Sequence, residues 1–231
     1  MKKIVVLGDF NPKYYTHHAL NDAIKYLTTD VNNELKIEWV DTDKFDYANQ
    51  FRTEYSGLWI APGSPYKDMD NVINTIRFAR KNNIPTLGNC GGFQHMIIEY
   101  ARNVCGLINA NTEETIPDGK ENIISKLTCS LVGQQEEISV LESTLLHSLI
   151  EKNHLIGKYY CSYALNPDYV TLLESNGMLM TATNAEGEIR AFEISSHPFF
   201  LGTLFQPTLT SSAEEPDPVL MGFVERVSRQ P

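Results

Sequence analysis

An α/β fold with a mostly parallel central sheet flanked by helices is what this sequence predicts, on three observations. Short β-branched runs alternate with helix-period segments through the N-terminal half. A glycine-flanked cysteine, Cys90, stands where one of those runs turns into a long helical pattern. The chain has 231 residues, 42% hydrophobic and 21% charged, an ordinary globular balance that supports one sizeable core. Residues 1–231 are therefore read as a single domain.

The elements follow in order. A buried strand is predicted over Lys3 to Leu7, a helix near His18 to Leu27, strands over Leu35 to Val40 and Gly57 to Ala61, and a helix near Asp70 to Asn82. Asn83-Ile84-Pro85 ends that helix and leads into a short strand, Pro85 to Gly88. A turn and a helix from Gly92 to Val104 come next. Beyond Cys105 the spacing changes to strands at Ile124 to Val132, Glu137 to Val140, Leu155 to Tyr163, Leu179 to Thr183, Ile189 to Ile194 and Leu201 to Phe205. No Pro/Gly/Ser-rich linker or internal repeat divides the chain, so this β-rich half completes the same sheet. The last helix, Pro218 to Ser228, offers Leu220, Phe223, Val224 and Val227 at helical spacing for packing on the core.

Charge and composition exclude several functions. A formal charge of -10 with scattered Lys and Arg leaves no basic footprint for nucleic acid. The first apolar run is too brief for a signal sequence and no later run reaches membrane length, so a cytoplasmic protein without a membrane partner is expected. Cys90, Cys105, Cys129 and Cys161 form no CxxC pair and no metal spacing with the six histidines; free thiols and no metal are expected. Neither a GxxxxGK[ST] phosphate loop nor a dinucleotide fingerprint is present, so no cofactor is expected.

The chemistry concentrates at Leu87-Gly88-Asn89-Cys90-Gly91-Gly92-Phe93-Gln94. A nucleophile on a sharp strand-to-helix turn needs neighbours without Cβ atoms. The helix N-terminus behind it favours negative charge on sulfur and offers N–H donors to an oxyanion. A tight turn around a buried structural thiol would carry the same residues, so the pattern alone leaves both readings open.

The segments from Ala79 to Cys90, Ile98 to Val104 and Asn109 to Glu114, then Asn166-Pro167-Asp168-Tyr169-Val170, His197-Pro198-Phe199-Phe200 and Met221-Gly222-Phe223-Val224, occur in one order. In them the chain resembles the class I glutamine amidotransferases, in particular the glutaminase domain of CTP synthase. The resemblance implies a flavodoxin-like fold with a nucleophile elbow, a nucleophile at Cys90 that attacks the side-chain amide of glutamine, and a small amino-acid-like ligand. It implies oxyanion and substrate contacts at Gly63, Ser64 and Gly91, and ligand contacts at Gln94 and Glu114. Partners are left open between a homo-oligomer and a separate subunit.

The same resemblance marks departures. The family's His-Pro-Glu-Phe segment corresponds to Gln206-Pro207-Thr208-Leu209, so Gln206 stands at the position of the triad His and Thr208 at that of the triad Glu. Neither side chain titrates near neutral pH, and an amide cannot carry the thiol proton to departing ammonia. The family's Arg-rich clamp for the glutamine carboxylate corresponds to Gly157 through Tyr163, with Ser162 where an arginine would be. Tyr160, Cys161 and Ser162 are thus candidate substrate-binding residues. Cys161 either faces Cys90 across the pocket or is an inward-facing strand residue. His17 and His18, after the first strand, are the candidate alternative bases, or else simply open a solvated helix. Two function classes remain: a Cys90-dependent hydrolase or transferase on a small amide or acyl compound, and a catalytically silent metabolite-binding or regulatory protein.

Overall fold

A computed structural model describes residues 1–29 and 35–230. Strand β1 (Lys2–Leu7) is buried from Ile4 onward because it lies inside a sheet covered on both faces. It pairs in parallel with β2 (Leu35–Val40) and β3 (Gly57–Ile60), β3 pairs in parallel with β4 (Thr86–Asn89), and β4 in parallel with the late strand β12 (Phe200–Thr203). From β12 the sheet continues antiparallel through β11 (Ile189–Glu193), β10 (Leu179–Thr183), β7 (Gln135–Val140) and β8 (His154–Lys158). The result is a nine-stranded sheet in the order β2-β1-β3-β4-β12-β11-β10-β7-β8. The α/β class holds, but the sheet is mixed instead of mostly parallel: the short connections β10–β11 and β11–β12 allow only antiparallel pairing, and β7 and β8 extend that edge antiparallel as well.

Helices α1 (Tyr15–Thr29), α3 (Met69–Lys81), α4 (Gly91–Asn103) and α7 (Pro218–Ser228) fall where periodicity placed them. Helix α4 is buried continuously from Gly91 to Ala101, which is why its sequence reads apolar nearly all round. The buried Glu99 carboxylate clamps it to α3 by accepting from Arg80 Nε at 2.8 Å and a second guanidinium nitrogen at 2.7 Å.

Three short helices carry no periodic signal: α2 (Tyr47–Thr53), α5 (Leu145–Ile150) and α6 (Val170–Ser175). Helix α2 buries no residue and starts because Asp46 accepts from the Asn49 N–H. Helix α5 starts at Thr144, with the buried Glu193 carboxylate accepting from Leu145 and Leu146 N–H groups.

Two predicted strands are corrected. Ile124 to Val132 ends as strand β6 (Asn122–Lys126), which joins β5 (Asn111–Thr112) and β9 (Tyr163–Leu165) in a separate three-stranded sheet. Leu155 to Tyr163 is not one strand. It leaves the large sheet after β8, bends through Tyr159–Ser162 and enters the small sheet as β9. That bend builds one wall of the site.

Candidate functional site

Cys90 follows β4 directly and caps α4, with φ 51° and ψ -107°. A non-glycine residue with positive φ is held there only by its surroundings. Its N–H donates to Thr203 O at 3.0 Å and its carbonyl accepts from Gln94 N–H at 3.1 Å. The tightness behind the turn explains Gly92, where an added Cβ would lie 2.5 Å from Ile60 O. Helix and sheet meet backbone to backbone, which puts the sulfur at the carboxyl edge of the strands.

A buried polar chain fixes the strands around it. Trp59 Nε1 donates to Asn89 Oδ1 at 2.7 Å, Asn89 Nδ2 to Thr203 Oγ1 at 2.8 Å, and Thr203 Oγ1 to Phe205 O at 2.8 Å. The ends of β3, β4 and β12 are thereby set in register, and Gln206, just past β12, lands beside Cys90.

Cys90 opens into a cavity of about 220 Å³ whose walls include Gly63, Ser64, Gln94, Glu114, Tyr160, Cys161, Ser162 and Gln206. That is below the roughly 300–1,000 Å³ of sites for drug-sized molecules. Gly91 faces the Gly63 loop: a side chain begun on it would lie 3.1 Å from Ser64 N. Gln94 Nε2 donates to Tyr163 O at 2.8 Å, leaving its Oε1 unpartnered. Glu114 Oε2 and both side-chain polar atoms of Gln206 are likewise buried and unpartnered. Ser162 and Ser130 share a hydroxyl–hydroxyl hydrogen bond of 2.9 Å. Glu114 is the one charged side chain in the lining.

Cys90 and Cys161 line the same cavity, and Cys90 Sγ lies 3.8 Å from the carbonyl oxygen of Tyr160, the residue before Cys161. The neighbouring Cys90, together with burial, holds the Cys161 thiol well above its ordinary pKa. Thr208 is buried in the turn after Gln206 and is absent from the cavity wall.

His17 and His18 lie outside the cavity wall. His17 is buried, not solvated: its Nε2 is 2.8 Å from Pro62 O and its Nδ1 accepts from Asn11 N–H at 3.0 Å. Burial lowers its pKa. The ring sits behind Gly63, whose φ is +96° and where an added Cβ would come within 2.8 Å of His17 Nε2. It supports the loop from the far side. His18 is exposed and pairs with Pro12 O at 2.7 Å.

The model for the class I glutamine amidotransferases matches residues 16–226. The chain belongs to that family.

CTP synthases are among this family member's relatives. It is 32% identical to that of Sulfolobus acidocaldarius over 98% of the chain and 45% of the relative, and 32% identical to that of Methanoregula boonei over 90% of the chain and 40% of the relative. The chain thus spans less than half the length of these relatives. Its fold matches the Trypanosoma brucei CTP synthase glutaminase domain solved with bound acivicin, with a TM-score of 0.87 at 22% identity over 100% of this chain and 95% of that one. A glutamine amidotransferase from Thermotoga maritima matches with a TM-score of 0.62 at 12% identity, over 98% of this chain and 96% of that one.

Tyr14, Thr16, Pro62, Val132 and Tyr163 also line the cavity, and sequence reasoning did not select them. Tyr14, in the loop that leaves β1, and Thr16, in the first turn of α1, had a signal in following the first strand. Val132 had none, since it arrives through the loop that follows β6. A wider groove of about 440 Å³, between β8 and the start of α7, contains none of the predicted site residues. No described helix is long and apolar enough to cross a membrane.

Proposed function

We propose that this family member is a cysteine-dependent hydrolase or transferase acting through Cys90 on a small amide or related acyl compound, not an ordinary glutaminase. The observation that carries this reading is the wall around Cys90: Gln94 Oε1, Glu114 Oε2 and both Gln206 amide atoms are buried without partners. Such groups cost about 1–3 kcal/mol each when nothing meets them, so a polar ligand or water belongs there.

In this reading Cys90 Sγ attacks the ligand's carbonyl carbon, the amine departs, and water releases the thioester. Backbone N–H groups near Gly91 and Ser64 and the Gln206 amide are the donors available to the oxyanion. Glu114 and Gln94 Oε1 attract an amino group. Without Arg or Lys in the wall, and with the Ser162 hydroxyl engaged by Ser130, nothing clamps a carboxylate. The favoured substrate is therefore an amine-bearing amide lacking the α-carboxylate of glutamine. Protons must move through water, because Gln206 and Thr208 occupy the positions that resemblance assigns to His and Glu. General acid–base help worth about 10² to 10⁴ in rate is then missing.

The test is ammonia release from L-glutamine and from carboxylate-free primary amides, with Cys90→Ala as control. Release that is faster from the carboxylate-free compounds and lost in the control is expected. Full turnover by Cys90→Ala would contradict the mechanism.

A second reading, a metabolite-binding protein that leaves its ligand intact, is favoured by the amide at position 206. It predicts that one of these compounds raises the melting temperature without being consumed. A cytoplasmic setting and a separate partner subunit remain part of the proposal.

A further inference from the structure

The second thiol in the wall has no part in acyl transfer. Cys161 and Cys90 are both buried and line one small cavity, and Cys90 Sγ lies 3.8 Å from the carbonyl oxygen of Tyr160, directly before Cys161 in the chain. The Cys161 segment is held on both sides: Leu131 N–H donates to Cys161 O at 3.0 Å, Tyr159 N–H to Gln134 O at 3.0 Å, and Leu127 N–H to Ser162 O at 2.9 Å. The nearness of the two cysteines is therefore built into the bend between the two sheets. Gln206, whose amide has an unpartnered donor and an unpartnered acceptor, lines the same cavity.

We propose that Cys90 and Cys161 form a dithiol redox centre that reduces small hydroperoxides and closes to an intramolecular disulfide. A hydroperoxide supplies one O–H donor and two acceptor oxygens, which matches the free donor and acceptor of Gln206. It requires neither a carboxylate clamp nor a titrating base at position 206.

The Cys90 thiolate attacks the terminal peroxide oxygen and the O–O bond breaks. The alkoxide takes a proton from water and leaves as alcohol, and Cys90 becomes a sulfenic acid. Cys161 sulfur then attacks Cys90 sulfur, the S–O bond breaks, the S–S bond forms, and water departs with the Cys161 proton. In sum, two thiols and one hydroperoxide give one disulfide, one alcohol and one water. Two electrons pass from the sulfurs to the peroxide oxygens. An external thiol returns the centre to the dithiol by exchange. This inference does not rest on amide hydrolysis, since its readouts are thiol count and mass rather than ammonia.

The test uses the full chain, its Cys161→Ser variant and tert-butyl hydroperoxide, with oxidised glutathione in a parallel arm. Free thiols, intact mass and cross-linked peptides are measured before and after dithiothreitol. Expected with the hydroperoxide are the loss of two of the four thiols, a mass lower by two hydrogen atoms, a peptide joining Cys90 to Cys161, and full recovery with dithiothreitol. The Cys161→Ser variant is expected to remain below its starting thiol count after dithiothreitol, because an unresolved sulfenic acid proceeds to irreversible sulfinic acid. Overturning results would be a bridge through Cys105 or Cys129, recovery of Cys161→Ser as complete as that of the native chain, or a Cys90–Cys161 bridge formed by oxidised glutathione alone.

Discussion

Gln206 carries two properties that a structural residue rarely combines: complete burial and no hydrogen bond on either amide atom. If the cavity is empty in solution, Gln206→Met removes two unmet polar groups at nearly constant volume. Unfolding free energy is then expected to rise by about 1–3 kcal/mol in urea denaturation, while ligand-induced stabilisation disappears. Loss of stability in that variant would show that water or another group satisfies the amide. His95 gives a second residue-level prediction. It is fully buried in α4, its Nδ1 lies 2.8 Å from Gly91 O, and burial lowers its pKa to about 4. The unfolded imidazole therefore binds a proton that the folded one does not. Stability is present above the ordinary histidine range and is lost as pH falls, by about 2 kcal/mol near pH 5. His17 and His197, also lowered by burial, act in the same direction, whereas Glu193 and Asp217, raised by burial, oppose it. Denaturation series from neutral to mildly acidic pH should show this fall, and a smaller one in His95→Gln.

The elements around Cys90 are joined by the Trp59–Asn89–Thr203 chain, which no periodicity announces. Asn89→Ala would leave the indole N–H and the Thr203 hydroxyl without that partner. A loss of roughly 1–3 kcal/mol is expected, chiefly from the unmet indole N–H, since the Thr203 hydroxyl still donates to Phe205 O, together with slower modification of Cys90 as β12 and Gln206 shift. Unchanged stability would mean that the register of these strands is fixed elsewhere. Legibility followed the same division. Long elements with a clean period, such as β1, α3, α4 and α7, could be read from the residues. Helices α2 and α5 could not, because caps at Asp46 and Thr144 start them and they bury little or nothing. The run Leu155 to Tyr163 looks continuous since its apolar and aromatic residues suit a strand. What breaks it is tertiary: Tyr159 packs with Arg190 over its ring at 5.7 Å, and the loop after β6 pairs with Tyr159–Ser162.

Across the whole molecule, the second half turned the sheet mixed and added a small three-stranded sheet, and the site lies where the two sheets meet. Glycines and the Gln-Pro-Thr segment made Cys90 and Gln206 legible as neighbours through resemblance. The placing of Cys90 and Cys161 in one cavity wall depends on a chain path from one sheet to the other, and local sequence does not encode that path. The removal of His17 from the cavity wall is of the same kind, since only the folded Gly63 loop shows which side the ring occupies. In the proposed function the reactive thiol of the four is Cys90, buried at a helix N-terminus and opening into a small polar cavity. Alkylation of the reduced chain by iodoacetamide, itself a small primary amide, tests this by peptide mapping over time. Cys90 is expected to react first, at least about tenfold faster than the exposed Cys129. Modification of Cys129 ahead of an inert Cys90 would contradict the claim.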